Sequence, residues 1–160
     1  MAVQFTYVPI ATQTLGSTAT SVTFSSIPST YQDIVLVING SMSSSNNIAV
    51  QINGDTGSNY SRTTLYGTGS SAASFRETSI STALNSGYMD TNNGTTLISF
   101  MAYANTNTYK TFLVRSNPTS VGTYATVGLW RSTAAITSIT LSGGTYSSGD
   151  SFSIYGLAAA

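Results

Sequence analysis

The chain has 160 residues, no net charge, no cysteine and no histidine. Its composition is 41% hydrophobic but only 6% charged, against roughly 25% charged in typical soluble domains. These totals exclude a disordered chain, a disulfide framework, a thiolate metal site and an electrostatic footprint for nucleic acid or an anionic membrane.

Ser, Thr, Asn and Gly must cover the surface. They solvate well but create no field, and a neutral surface gives a free monomer little colloidal protection. The length fits one domain over 1–160 with a full hydrophobic core. A short N-terminal arm (1–5) and a C-terminal tail (158–160) flank it. No signal peptide and no membrane-spanning run is expected, because Met1–Ile10 lacks a basic start and a long apolar stretch.

Thr6–Ala11 reads as a short first strand, with Pro9 marking it as an edge or bent strand. Val22, Phe24 and Ile27 alternate with Ser and Thr, so Ser21–Ile27 is half-buried. Pro28-Ser29-Thr30 then turns the chain into Asp33–Met42. Ile34–Ile38 is the longest run of large apolar residues, and it predicts a strand buried on both faces.

Ile48–Ile52 alternates again and enters the turn cluster Asn53-Gly54-Asp55-Thr56-Gly57. Tyr60–Tyr66 is expected as its return strand, followed by a small-residue loop over Gly67–Ser74. Phe75–Asn85 is ambiguous, since Thr, Ser and Ile favour a strand while the apolar spacing tolerates a short helix. Asn92-Asn93-Gly94 is a further hairpin signal.

Thr96–Tyr103 and Tyr109–Arg115 flank a loop and predict a hairpin. Tyr124–Trp130, Ile136–Leu141 and Ser151–Leu157 are the last three strands. The spacing gives about ten strands in an all-β, antiparallel, jelly-roll-like sandwich.

The residues for catalysis are sparse. Without histidine the chain lacks the usual general base and the commonest zinc ligand. No GxSxG elbow or SxxK arrangement occurs. A carboxylate pair remains, drawn from Asp33, Asp55, Glu77, Asp90 and Asp150, each of which also fits turn or strand-end chemistry. We therefore expect no enzyme and no cofactor. Gly67–Ala72 matches a dinucleotide-binding fingerprint in form only, lacking the strand-to-helix setting. Asn53–Asn59 carries one carboxylate, too few for a calcium loop. Sequons at Asn39, Asn59 and Asn93 are expected by chance in such a composition.

Ten tyrosines and one tryptophan leave two readings open. Tyr at strand ends seals the core with a wet hydroxyl, or it forms a stacking platform or subunit contact at one end of the sandwich. Trp130 beside Arg131, Tyr155 and Leu157 near the C-terminus, and Phe5 and Tyr7 near the N-terminus are the candidate interface residues. The uncharged ends either pack on a neighbour or simply fray.

Four stretches carry a resemblance: Tyr31–Leu36 (YQDIVL), Ile52–Ser61 (INGDTGSNYS), Leu129–Leu141 (LWRSTAAITSITL) and Phe152–Leu157 (FSIYGL). In that order the chain resembles small jelly-roll virion proteins of tailed bacteriophages, from about Tyr7 to Leu157. The group comprises capsid decoration (cement) proteins and related tail-fibre or spike modules. The resemblance implies a homo-oligomer, commonly a homotrimer, on the capsid exterior, with the major capsid protein as partner and no cofactor. It carries over no catalytic residue. No coiled coil or shaft repeat is read within these 160 residues, so decoration is the expectation. A receptor- or glycan-binding tail module, with a host glycan as ligand, is the alternative.

Overall fold

The computed structural model of the chain describes residues 7–83 and 86–158. They form an antiparallel β-sandwich, with no helix among them.

The larger layer has eight strands. In chain order these are β1 (Tyr7–Thr14), β3 (Asp33–Gly40), β6 (Tyr60–Gly67), β7 (Ala72–Ile80), β9 (Gly94–Phe100), β10 (Lys110–Ser116), β11 (Thr123–Trp130) and β13 (Ser151–Leu157). Their order across the sheet is β1-β13-β3-β9-β10-β11-β6-β7. A three-stranded sheet, ordered β2-β12-β5, consists of β2 (Val22–Phe24), β12 (Ile139–Ser142) and β5 (Ala49–Ile52). A two-stranded ribbon pairs β4 (Asn46–Asn47) with β8 (Tyr88–Met89). These last two, of two residues each, are the strands that the sequence did not mark.

One core cluster joins the layers. Ile34, Leu36, Ile38, Ile98, Phe112 and Ile154 of the large sheet pack in it with Val22, Val50, Ile52, Ile139 and Leu141 of the small one. Alternation sets this directly: β13 and β10 bury every second residue.

β3 lies third from one edge, between β13 and β9. Ile34, Leu36 and Ile38 are fully buried, and each contributes roughly 1.5–3 kcal/mol by leaving water. The expectation of burial on both faces is only half met. On the other face Val35 is nearly covered, Val37 half-buried and Asn39 exposed. Val35 is not part of the core cluster between the layers, and its ladder neighbours on that face are Tyr155 and Ser99.

β1 is an edge strand with a register shift between Pro9 and Ala11, in line with the reading of Pro9. Phe75–Asn85 resolves in favour of the strand: β7 starts at Ala72, inside the expected loop, and runs to Ile80. Leu84 and Asn85 lie outside the described residues.

Two hairpin expectations need correction. Asn53 and Gly54 both have positive φ (52° and 66°), and the Asp55 amide donates to the Ile52 carbonyl at 2.9 Å. This is the I′ geometry of a tight hairpin. Yet β5 pairs with β12, while β6 pairs with β11 and β7. The turn sends the chain from the small sheet to the large one. Likewise Asn92–Gly94 does not join a pair, because β8 pairs with β4 and β9 with β3 and β10. There Asp90 Oδ1 accepts from the Asn92 amide, a side-chain turn. The Thr96–Tyr103 and Tyr109–Arg115 hairpin is present as β9 and β10.

Candidate functional site

The five carboxylates show where chemistry would have to come from, and each is occupied locally. Asp33 Oδ1 accepts from the Ala102 amide at 2.7 Å. Asp55 accepts from the Gly57 amide, Asn59 Nδ2 and, at 2.6 Å, Trp130 Nε1. The Trp130 indole, then Asn59 and Gly57, hold its carboxyl below the ordinary value against the opposing effect of burial. Asp150 accepts from the Ser41 and Ser147 amides. Glu77 pairs with Arg62.

Asp90 gathers the most donors: the Asn92 amide, the Ser120 amide and hydroxyl, and the Thr119 hydroxyl. Burial pushes its carboxyl up, and these donors outweigh it, leaving it below the ordinary value. No hydrogen bond among the described residues bridges two of these carboxylates. No three metal-ligating side chains cluster among the described residues.

Lys110 is fully buried, with Nζ donating to the Thr108 and Thr133 carbonyls at 2.7 and 3.2 Å. Burial lowers its affinity for a proton. It ties two loops at one end of the sandwich.

The sequence candidates divide between two places. Trp130 is 3% exposed and faces the core, with its indole nitrogen on Asp55. Arg131 beside it donates to the Ser58 carbonyl at 2.6 Å. Tyr7, Tyr155 and Leu157 lie together at the opposite side of the sheet, where Tyr7 is paired with Leu157 and its ring meets Tyr155 edge-on at 6.4 Å. Four strand spacings separate β13 from β11, or about 19 Å. Phe5 lies outside the described residues.

A surface that sequence reasoning missed spans the outer face of the large sheet. One register row reads Thr63, Val127, Leu113, Ser99, Val35, Tyr155 and Pro9. The next reads Leu65, Ala125, Arg115, Leu97, Val37, Ser153 and Thr12. Leu65 is 59% exposed, Val127 55%, Leu113 39% and Tyr7 53%. On β7 the rows continue to Arg76 and Ser74, so Arg115 and Arg76 are the charges in them. Exposed apolar residues grouped on one face make it a candidate interaction surface. The signal was present in Phe112-Leu113-Val114, where apolar residues occupy both parities of a strand.

A second feature lies on the inner face. Tyr88, Tyr124 and Tyr66 stack in series, with ring centroids 5.3 and 5.6 Å apart and planes within 9° and 14°. Phe75 follows, tilted, 6.2 Å from Tyr66. All four rings are half-buried. At the loop end, an open polar groove of about 460 Å³ is lined by residues that include Asn39, Asn93 and Asp150.

No family model matches the chain, and no curated protein does. Among solved structures it is similar to exo-inulinase from Aspergillus awamori, at 18% identity and a TM-score of 0.47 over 94% of this chain. The chain spans 29% of that enzyme's length. It is also similar to galectin LEC-6 from Caenorhabditis elegans, at 9% identity and a TM-score of 0.42, covering 89% of this chain and 94% of the galectin. A PL-14 alginate lyase from Aplysia kurodai matches at 8% identity and a TM-score of 0.25, over 82% of this chain and 70% of the lyase. Likenesses this weak carry no functional argument.

Proposed function

We propose that this chain is a structural virion protein of a tailed bacteriophage. In this reading it decorates the outer capsid surface, binds the major capsid protein and stabilises the shell as a cement protein. The resemblance in the four sequence stretches suggests the group. The observation that carries the reading is the outer face of the large sheet, where Leu65, Val127 and Leu113 stand exposed in a field whose charges are Arg115 and, at the β7 rim, Arg76.

The physical task is adhesion. A protein that binds the assembled lattice and not free subunits shifts stability toward the closed shell by mass action. With so little charge, its contacts are apolar packing and hydrogen bonds, and attachment responds weakly to salt. The resemblance implies a homo-oligomer, commonly a homotrimer, and carries over no catalytic residue.

The test is location and attachment. Imaging of intact particles should place the protein on the shell lattice, and Val127→Glu should abolish its binding to stripped shells. Finding it at the tail, or releasing it by moderate salt alone, would overturn the reading. The Tyr88–Tyr124–Tyr66 stack favours the alternative of a glycan-binding tail module. A positive glycan array, lost in Tyr88→Ala, would select that alternative.

A further inference from the structure

The large sheet has two edges, and they are not equally guarded. β1 carries Pro9 and a register shift, both of which discourage another strand from pairing. β7 carries no proline. Its side chains are exposed or half-buried from Ala72 to Ile80. It pairs with β6 on one side and with no described residue on the other. A free strand edge of this length is a template for strand addition.

We propose that β7 docks a second copy of this chain, whose own β7 pairs with it antiparallel about a two-fold axis through Phe75. This inference does not depend on the capsid reading.

The register follows from β7 itself. The regular part of the strand is bounded by the Thr68–Ser71 turn and by Ser79, whose φ is 57° beside the register shift opposite Tyr60. Ala72–Thr78 lies between them, and its midpoint is Phe75. Ala73, Phe75 and Glu77 share the inner face with Tyr66, Thr64 and Arg62, so Ala72, Ser74, Arg76 and Thr78 point outward. A two-fold axis normal to the sheet keeps each face on its own side. Residues placed opposite must therefore share parity.

Centring on Phe75 sets Arg76 opposite Ser74 of the other copy and Glu77 opposite Ala73. All seven residues find partners. Centring on Arg76 sets arginine against arginine, and centring on Glu77 sets carboxylate against carboxylate, both unfavourable. Centring on Ser74 leaves fewer pairs.

The aromatic series supports the same axis. It ends at Phe75 on the open edge, with the Arg62 guanidinium 4.6 Å from that ring's centroid. Pairing about Phe75 brings the two series end to end. It removes the half-exposed ring from water and continues the sheet across two molecules.

The chain has no cysteine, so single-cysteine variants give an unambiguous test. Directly opposed residues in an antiparallel pair have Cα atoms about 4.5–5.5 Å apart, within the span a disulfide bridges. Under mild oxidation Phe75→Cys should cross-link to itself faster than Ser74→Cys or Arg76→Cys. Sedimentation of the unmodified chain at high-micromolar concentration should show a dimer. Ser74→Arg faces Arg76 of the other copy twice, at exposed positions, and should weaken that dimer by roughly three- to tenfold. Adding Arg76→Glu to it should restore association.

A monomer at that concentration would overturn the proposal. So would an oligomer, trimer included, that ignores Ser74→Arg, or faster cross-linking at position 74 or 76. If Phe75→Cys does not fold, the Ser74→Arg and Arg76→Glu pair decides alone.

Discussion

Trp130 and Asp55 are joined by a 2.6 Å hydrogen bond from the indole nitrogen to Oδ2. It fastens the end of β11 in the large sheet to the turn that leaves β5 in the small one. Tyr60 reinforces the corner: its hydroxyl accepts from the Ile52 amide at 2.9 Å and lies 3.2 Å from the Ile52 and Asp55 carbonyls. The two layers are thus clasped by polar contacts where the chain crosses between them.

Removing either partner of that clasp should destabilise the sandwich. Trp130→Phe keeps most of the buried ring but loses the donor, and it should cost about 1.5–3 kcal/mol, the range for a hydrogen bond to a charged group. Chemical denaturation of Trp130→Phe, Asp55→Asn and the double variant checks it. Near-additive losses would show that the two residues act separately.

Acid should unfold the protein through Asp55 and Asp90. Both carboxyls are held below the ordinary value. Their folded-state values therefore lie below the unfolded value of about 3.9. The stabilisation is complete above that pH and is lost as pH falls through the folded values. Melting temperature should be flat near neutrality and drop steeply below about pH 4. Asp90→Asn should be less stable at neutral pH and show a shallower acid limb.

Gly128 should not tolerate a side chain. A Cβ there would come within 2.0–2.6 Å of three carbons at the far end of the Phe112 ring, which is opposite it across β10 and β11. Gly128→Ala should cost about 1–3 kcal/mol by overpacking. Adding Phe112→Leu should recover part of the loss, and a thermal melt of the three variants measures the coupling.

Changes on the outer face should separate adhesion from folding. Leu113→Ser and Val127→Thr remove exposed apolar surface from strand positions whose partners stay in place. Stability should change by less than about 1 kcal/mol. Binding to shells should fall by tenfold or more in a pull-down with stripped capsids.

Strand positions were legible because alternation is a local signal. Val22 and Phe24, Phe112 and Val114, and Phe152 and Ile154 mark buried faces within a few residues of chain. Pairing was less legible, because the I′ turn at Asn53-Gly54 has the local geometry of a hairpin. What sends the chain across is the distant bond to Trp130 and the bonds from Tyr60 to β5. Trp130 stood among the candidate interface residues because its acceptor, Asp55, is far away in sequence. The double exposure of β7 was hidden for a related reason. Phe75-Arg76-Glu77 alternates too little to name a face, and only the sheet order reveals an edge.

Tyr7 and Leu157 stand opposite each other in the ladder of β1 and β13, at the edge remote from β7. Seven strand spacings, about 34 Å, lie between that corner and β7. A short peptide would bridge β1 to β13, and new termini cut at the exposed Thr68–Ser71 turn would give a circular permutant. Cargo attached at that corner would stand clear of the opposite rim.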